Sequence, residues 1–231
     1  MGDGSLIASV KARQIHSDRG HPGVEVRVTT RNGATGVAVA TAGVSVGVHE
    51  VQFAYDGGTR WGGKGVLKAV EKVDTLIAPA IMGLDASNQT LVDDAIIALD
   101  PSPMKTNIGG NATAATSAAV LRAGAASLGI PLYQHIGGVN AVRLPVAGTI
   151  AMVGSDRYGG GGSESGGKPS YSFLCYGYDT FTEAQYAAWQ VSRVYAQMMH
   201  EKWGVSGRDG FLFLPVGAIQ HDKEFWEVMA R

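Results

Sequence analysis

Residues 24–41 constrain the fold more tightly than any other stretch. Val24, Val26 and Val28 alternate with Glu25, Arg27 and Thr29, the period of a strand with one dry and one wet face, because successive side chains on a strand point to opposite sides. Asn32-Gly33 follows, a dipeptide that accepts positive φ in a tight hairpin turn. The apolar, β-branched run from Thr35 to Thr41 then supplies a return strand. With Ile7 to Ile15 ahead of them, these segments predict a three-stranded antiparallel meander.

The period changes after Gly65. Val66, Val70, Val73 and Ile77 step by four, three and four, which puts them on one helical face and predicts a helix stopped near Pro79. A second helix, Leu91 to Leu99, follows the capping candidates Ser87 and Asn88 and ends at Asp100-Pro101. A third, from about Asn111 to Leu128, is rich in alanine and so suits close approach to a neighbour. Gly129 closes it, and Pro131 opens a short helix over Leu132 to Ile136. Leu144 to Val153 has strand composition. From Gly154 to Lys168 seven of fifteen residues are glycine, the composition of a flexible loop. Beyond it come a strand from Tyr171 to Tyr176 and a helix opened by the capping box Thr180-Phe181-Thr182-Glu183. That helix is expected to carry Ala184, Ala188, Val191, Tyr195 and Met198 inward and to end at Gly204. An apolar stretch, Phe211 to Val216, and a helix from about Asp222 follow.

Composition removes several classes of function. The 231 residues suffice for a substantial core, and charged residues are 17% with a net charge of −1, against a usual ~25% charged. Such a chain has no basic footprint for nucleic acid or an anionic membrane surface. Glycine numbers 33, yet hydrophobic residues reach 45%, so the chain is neither collagenous nor disordered. A lone Cys175 excludes an intramolecular disulfide and multi-cysteine metal sites, in keeping with a reducing compartment. MGDGSLIASV lacks the pattern of a secretion signal, and no apolar run is long enough to span a bilayer. A cytoplasmic protein without membrane insertion is expected.

Three local patterns carry chemistry elsewhere. Gly43-Val44-Ser45-Val46-Gly47 matches a nucleophile elbow, but Val48-His49-Glu50-Val51 makes a poor helix start. Gly58 to Lys64 matches the opening of a phosphate-binding P-loop, but Gly65 stands where a Ser or Thr must hold magnesium, and no buried strand precedes it. Six histidines, at 16, 21, 49, 135, 200 and 221, show no i, i+4 pair suited to zinc. They read as surface or structural groups.

The order of short motifs points elsewhere. Ala12-Arg13-Gln14-Ile15 with Arg19-Gly20-His21-Pro22, then Ala42-Gly43-Val44-Ser45-Val46-Gly47-Val48-His49-Glu50, then Gly63 to Val70 and Ile77-Ala78-Pro79 follow one another. Asn111-Ala112, Pro131-Leu132-Tyr133, Ile136 to Ala141 and Leu144-Pro145-Val146 continue the series over about 145 residues. In order and spacing the series resembles the enolase family, and Tyr178 to His200 looks like its first long barrel helix. The resemblance implies an α+β capping domain, a three-stranded meander plus helices, over 1–140. An incomplete (β/α) barrel segment with the glycine-rich loop 154–168 is implied over 141–231.

Enolases dehydrate 2-phosphoglycerate to phosphoenolpyruvate, using a lysine base, magnesium and a glutamic acid that helps hydroxide leave. By resemblance, Ser45 is the loop serine that closes over substrate with Gly43 and Gly47 and ligates the second magnesium. The loop's flanking hydroxyls are replaced by Ala42 and Val46. The family's phosphate-facing histidine falls in Val153-Gly154-Ser155-Asp156-Arg157-Tyr158, where none stands, and its Gln-Glu pair falls near Ser170 and Tyr171. The acid aligns with Asp209, one methylene shorter than the family's Glu. The first magnesium's carboxylates and the lysine base align past Arg231. Inactivity of the isolated chain is therefore expected, with magnesium required only in a catalytic form. The leading expectation is a pseudoenzyme serving as a structural or assembly subunit of a larger complex. The alternative is the amino-terminal half of a split enolase-type lyase. Either way a protein partner is expected over the open barrel edge, in a hetero- or homo-oligomer, and Arg13 and Glu25 lie on segments that could meet another subunit.

Overall fold

A computed structural model describes residues 3–18, 20–42, 49–153, 170–204 and 222–231. The chain packs as two compact units, Met1–Ala141 and Val142–Arg231. Among the described residues no helix is long and apolar enough to cross a membrane.

The first unit is the α+β domain that the resemblance implies, built on the three-stranded meander that the alternation predicts. Strands β1 (Ile7–His16), β2 (Pro22–Thr30) and β3 (Thr35–Ala40) form an antiparallel sheet in that order. Val26 sits between Ala12 and Ala38, and Glu25 between Arg13 and Val39, so the period-two pattern sorts the faces as it must. Val24, Val26 and Val28 are fully buried. On the other face Arg13 and Glu25 pair with one another at 2.6 Å. That bond raises the Arg13 guanidinium and lowers the Glu25 carboxyl from their ordinary values. At the β2–β3 turn only Gly33 takes positive φ, +84°. Asn32 instead works through its side chain, accepting from the Thr30 hydroxyl and the Ala34 amide and donating to Ser127 O.

Helices cover the dry face. Helix α1 (Leu67–Lys72) runs into a wide π turn, Val73–Ile77, and then α2 (Ala78–Ile81). Val66, Val73 and Ile77 are buried as expected. Pro79, however, does not stop the helix but lies in the first turn of α2. There an amide has no intrahelical partner to lose, and the wide turn just before it closes with Ala78 N–H on Val73 O. Helix α3 (Gln89–Leu99) is capped by Asn88, whose side chain accepts from Leu91 N. Helix α4 (Gly110–Ser127) buries Ala112, Ala115, Ala119 and Ala123 and lies against β2 and β3. Its alanines let the backbones meet. Helix α5 (Leu132–Gly137) follows Pro131.

Between α3 and α4 the chain is organised by one carboxylate. Asp100, with no exposed surface, accepts from Ser102 Oγ at 2.5 Å, Asn107 N at 2.8 Å and Ile108 N at 2.9 Å. The Ser102 hydroxyl contributes most, outweighing the burial that opposes it, and the amides of Ile108, Asn107 and Ser102 add to hold the group at about 2, below its ordinary 3.8. A depressed carboxyl stabilises the fold above its unfolded value and stops doing so as pH falls through its folded value. Asp100→Asn is therefore expected to lower stability at neutral pH and to flatten the loss between about pH 4 and pH 2. Urea midpoints measured across that window check it; an acid limb as steep as that of the unaltered chain would assign the loss to other groups.

The second unit holds a two-stranded antiparallel sheet, β4 (Gly148–Val153) with β5 (Ser170–Leu174), and helices α6 (Phe181–Trp203) and α7 (Asp222–Met229). These are pieces of an incomplete barrel. Both strands are shorter than their composition predicts: β4 starts at Gly148, not Leu144, and β5 ends at Leu174, not Tyr176. Leu144 and Tyr176 are 72% and 80% exposed, so no packing holds them in strand form. Thr180 caps α6 by accepting from Glu183 N, and Gly204 closes it at φ +64°. Its buried stripe is Ala184, Ala188, Tyr195 and Met199, with the Tyr195 ring edge-on to Phe173. Val191, 39% exposed, and Met198 do not belong to it. At 100° per residue they sit roughly 50–70° round from the stripe's centre.

Candidate functional site

The residues assigned by resemblance fall largely outside the described part of the chain. Gly43, Ser45 and Gly47 lie in 43–48, Asp209 in 205–221, and 154–158 together with the glycine-rich block in 154–169. Ser170 opens β5 and Tyr171 follows it. What the structure does describe is the scaffold on either side of the Ser45 segment. On the entering side, β3 ends at Ala40 paired with Val24. On the leaving side, residues 49–56 form no helix, which removes the strand-turn-helix geometry a nucleophile elbow needs.

That leaving segment is tied down at three points. Gln52 N donates to Met104 O at 2.8 Å, and Gly110 N to Gln52 O at 2.6 Å. Two residues on, the fully buried Asn111 side chain clasps Ala54, accepting from its N–H at 2.9 Å and donating to its C=O at 3.0 Å. Gly109 and Gly110 permit this closeness: a Cβ on them would lie 2.5 Å from the Ala54 Cβ and 2.2 Å from Val51 Cγ2. Asp56 provides the third point. Its carboxylate accepts from Leu67 N at 3.1 Å and Lys68 N at 2.8 Å, while Lys68 Nζ donates to Asp56 O.

Asp56 also disposes of the P-loop resemblance. In a P-loop the helix N-terminus takes phosphate; here the first amides of α1 are already held by the chain's own carboxylate. Gly65 stands where a hydroxyl residue would be needed because a Cβ there would lie 2.3 Å from Asp56 Oδ2. The intervening residues make a short 3₁₀ turn, Arg60–Gly63, in which Trp61 itself takes φ +56°. Neither Asn111 nor Asp56 is marked by local sequence as an anchor. The one available signal was the diglycine before Asn111, since paired glycines announce a close approach of backbones.

The described histidines form no cluster. His16 meets Trp61 edge-on at 5.0 Å, and His21 Nδ1 lies 3.2 Å from its neighbour Pro22 O. Among the described residues no three of His, Cys, Asp and Glu converge on a point that could hold a metal ion.

The family model described as enolase, N-terminal domain, matches residues 7–136. Over 201 residues, 86% of this chain, the sequence is 39% identical to the enolase of Methanopyrus kandleri, covering 45% of that protein. The enolase of Methanothrix thermoacetophila is likewise 39% identical over 201 residues, with 46% of its length covered. That of Bifidobacterium longum subsp. infantis is 42% identical over 188 residues, 81% of this chain and 43% of its own. The chain thus spans just under half the length of the curated relatives it matches. With the family's amino-terminal domain accounting for more than half of its residues and folded as described, this chain belongs to the enolase family.

Proposed function

We propose that this chain is a non-catalytic enolase-type module that serves as a structural or assembly subunit of a larger complex. One contrast carries the reading. The chain on the leaving side of Ser45 is firmly anchored, by Asn111 on Ala54 and by Asp56 on α1 with Gly65 leaving room for it, whereas most of the positions that resemblance gives to chemistry, Ser45 apart, have changed. Ala42 and Val46 stand in place of hydroxyls, and Asp209 in place of a longer acid. A scaffold kept without its chemistry suits assembly better than turnover.

Taking a proton from carbon beside a carboxylate needs a base and cations to hold the developing charge. Among residues 1–231 the resemblance assigns Ser45 Oγ as a magnesium ligand, and a lone hydroxyl is a poor site for a cation that is ordinarily held through carboxylates. The split-lyase reading keeps a specific support, because Ser45 retains its hydroxyl and the chain beyond it is anchored at Gln52, Ala54 and Asp56. The full chain with 2-phosphoglycerate and magnesium is expected to form no phosphoenolpyruvate above the uncatalysed rate, followed by absorbance. A turnover of even about 1 s⁻¹, the low end for ordinary enzymes, would overturn the non-catalytic reading.

A further inference from the structure

Asn32-Gly33 closes the β2–β3 hairpin, and it also brings together a reactive pair of groups. An asparagine followed by glycine converts of its own accord: the glycine amide nitrogen attacks the side-chain carbonyl carbon, ammonia leaves, and water opens the resulting succinimide to an aspartyl or isoaspartyl residue. Glycine favours this because it has no Cβ to hinder the attacking nitrogen. Of the five asparagines, Asn32 alone precedes a glycine; Asn88, Asn107, Asn111 and Asn140 precede Gln89, Ile108, Ala112 and Ala141. Asn32 and Gly33 are both exposed, and a Cβ on Gly33 would meet nothing within 4 Å, so the surroundings leave room for the ring.

In the closed hairpin both reacting groups are engaged. Gly33 N donates to Thr30 O at 2.9 Å, while the Asn32 carboxamide accepts from Thr30 Oγ1 at 2.6 Å and from Ala34 N at 3.2 Å and donates through Nδ2 to Ser127 O at 3.1 Å. Ser127 is the last residue of α4, and its carbonyl is one of those a helix leaves without an internal donor. Asn32 supplies that donor from the hairpin. Conversion reverses the contact, because carboxylate oxygen replaces the Nδ2 donor and then faces a carbonyl at the negative end of the helix dipole. The isoaspartyl product also lengthens the main chain by one carbon inside the turn that the Gly33–Thr30 bond closes. We infer that Asn32 is a self-modifying site, which reacts with Gly33 when the hairpin tip opens and whose loss of ammonia releases the end of α4 from β2 and β3. Bonds at an exposed tip open far more readily than the fold as a whole, so the reaction proceeds from the folded chain.

The test incubates the full chain in mildly alkaline buffer, folded or unfolded in guanidinium chloride, separates the more acidic products by ion exchange and assigns them by peptide mapping. Position 32 is expected to convert ahead of the other four asparagines in both states, and about tenfold more slowly in the folded chain, as breaking one or two exposed hydrogen bonds requires. Thr30→Val removes the hydroxyl bond to Asn32 Oδ1 and no reacting atom, and is expected to speed conversion in the folded chain about fivefold. Asn88→Ala, which weakens α3 instead, is expected to leave the rate as it is. Asn32→Asp carries the product's charge from the start and is expected to speed hydrogen exchange at the Leu128 and Gly129 amides about fivefold. A folded chain in which position 32 stays intact, or converts as fast as the unfolded one, overturns the site, as does a rate indifferent to Thr30→Val. Exchange at Leu128 and Gly129 unchanged by Asn32→Asp overturns the release of α4.

Discussion

Gly36→Val is expected to cost about 3 kcal/mol or more, at or above the upper end of ordinary overpacking and a large share of the ~5–15 kcal/mol that holds a typical domain together. The reason is what a Cβ would meet. Built on Gly36 of β3, it lies 2.1 Å from Ala119 O and 2.3 Å from Ala123 N, backbone atoms of α4 that cannot turn aside as a side chain can. The helix must move off the sheet, and with it Ala112, Ala115, Ala119 and Ala123, which fill the core beside Val26 and Val28. Gly33→Ala separates this from a general intolerance of substitution. Gly33 has nothing within 4 Å of its would-be Cβ but sits at φ +84°, so it should lose only the roughly 1–2 kcal/mol of a left-handed residue. Urea unfolding of the full chain, followed by far-ultraviolet circular dichroism, checks both. If Gly36→Val falls within about 1 kcal/mol of the unaltered chain, inside the range of mild mutations, α4 is free to shift and the close contact does not define the domain.

Local pattern carried the elements and little of what joins them. The alternation at Val24, Val26 and Val28 needed only the pleat, and the Thr180 capping box only the four residues it spans, so both were readable. The wide turn that accommodates Pro79 was not, because a helix-breaking residue looks the same whether or not the register before it has shifted. On α6 the spacing offered two overlapping stripes, and only packing chose Met199 over Met198 and left Val191 outside. Asp56 shows the difficulty most plainly. Its carboxylate caps a helix eleven residues onward while glycines fill the interval, and that spacing imitates a phosphate loop. As for the candidate site, Ser45, Gly43, Gly47 and Asp209 came from resemblance alone, since no periodicity distinguishes a loop serine that meets magnesium from any other. The anchor that bears on Ser45's segment, Asn111, is 57 residues from its partner Ala54, a separation that nearest-neighbour preferences do not encode.

Asn111→Leu tests that anchor, with an expected loss of about 2–4 kcal/mol. Leucine nearly preserves volume, so the effect reports hydrogen bonding rather than a cavity. It leaves the N–H and C=O of the half-buried Ala54, and the Ala112 N–H, without their partner, and a stranded buried group costs about 1–3 kcal/mol, less where water can reach it. Asn88→Ala supplies the scale. That side chain also accepts one backbone amide, from Leu91 at 3.2 Å, but at an exposed helix start where water can substitute, and a cap of this kind is worth about 1 kcal/mol. Equal losses from the two variants would mean that water reaches Ala54 and that Asn111 is one cap among others. The expected inequality has a local signature as well. Hydrogen exchange at the Ala54 amide, and at Ala112, whose N–H also donates to Asn111 Oδ1 at 3.1 Å, should speed up in Asn111→Leu by far more than at Ala119 in the interior of α4. An Ala54 amide that exchanges no faster would show the 49–56 segment to be held by the Gln52 and Asp56 bonds, and Asn111 would then have no bearing on how the Ser45 segment is presented.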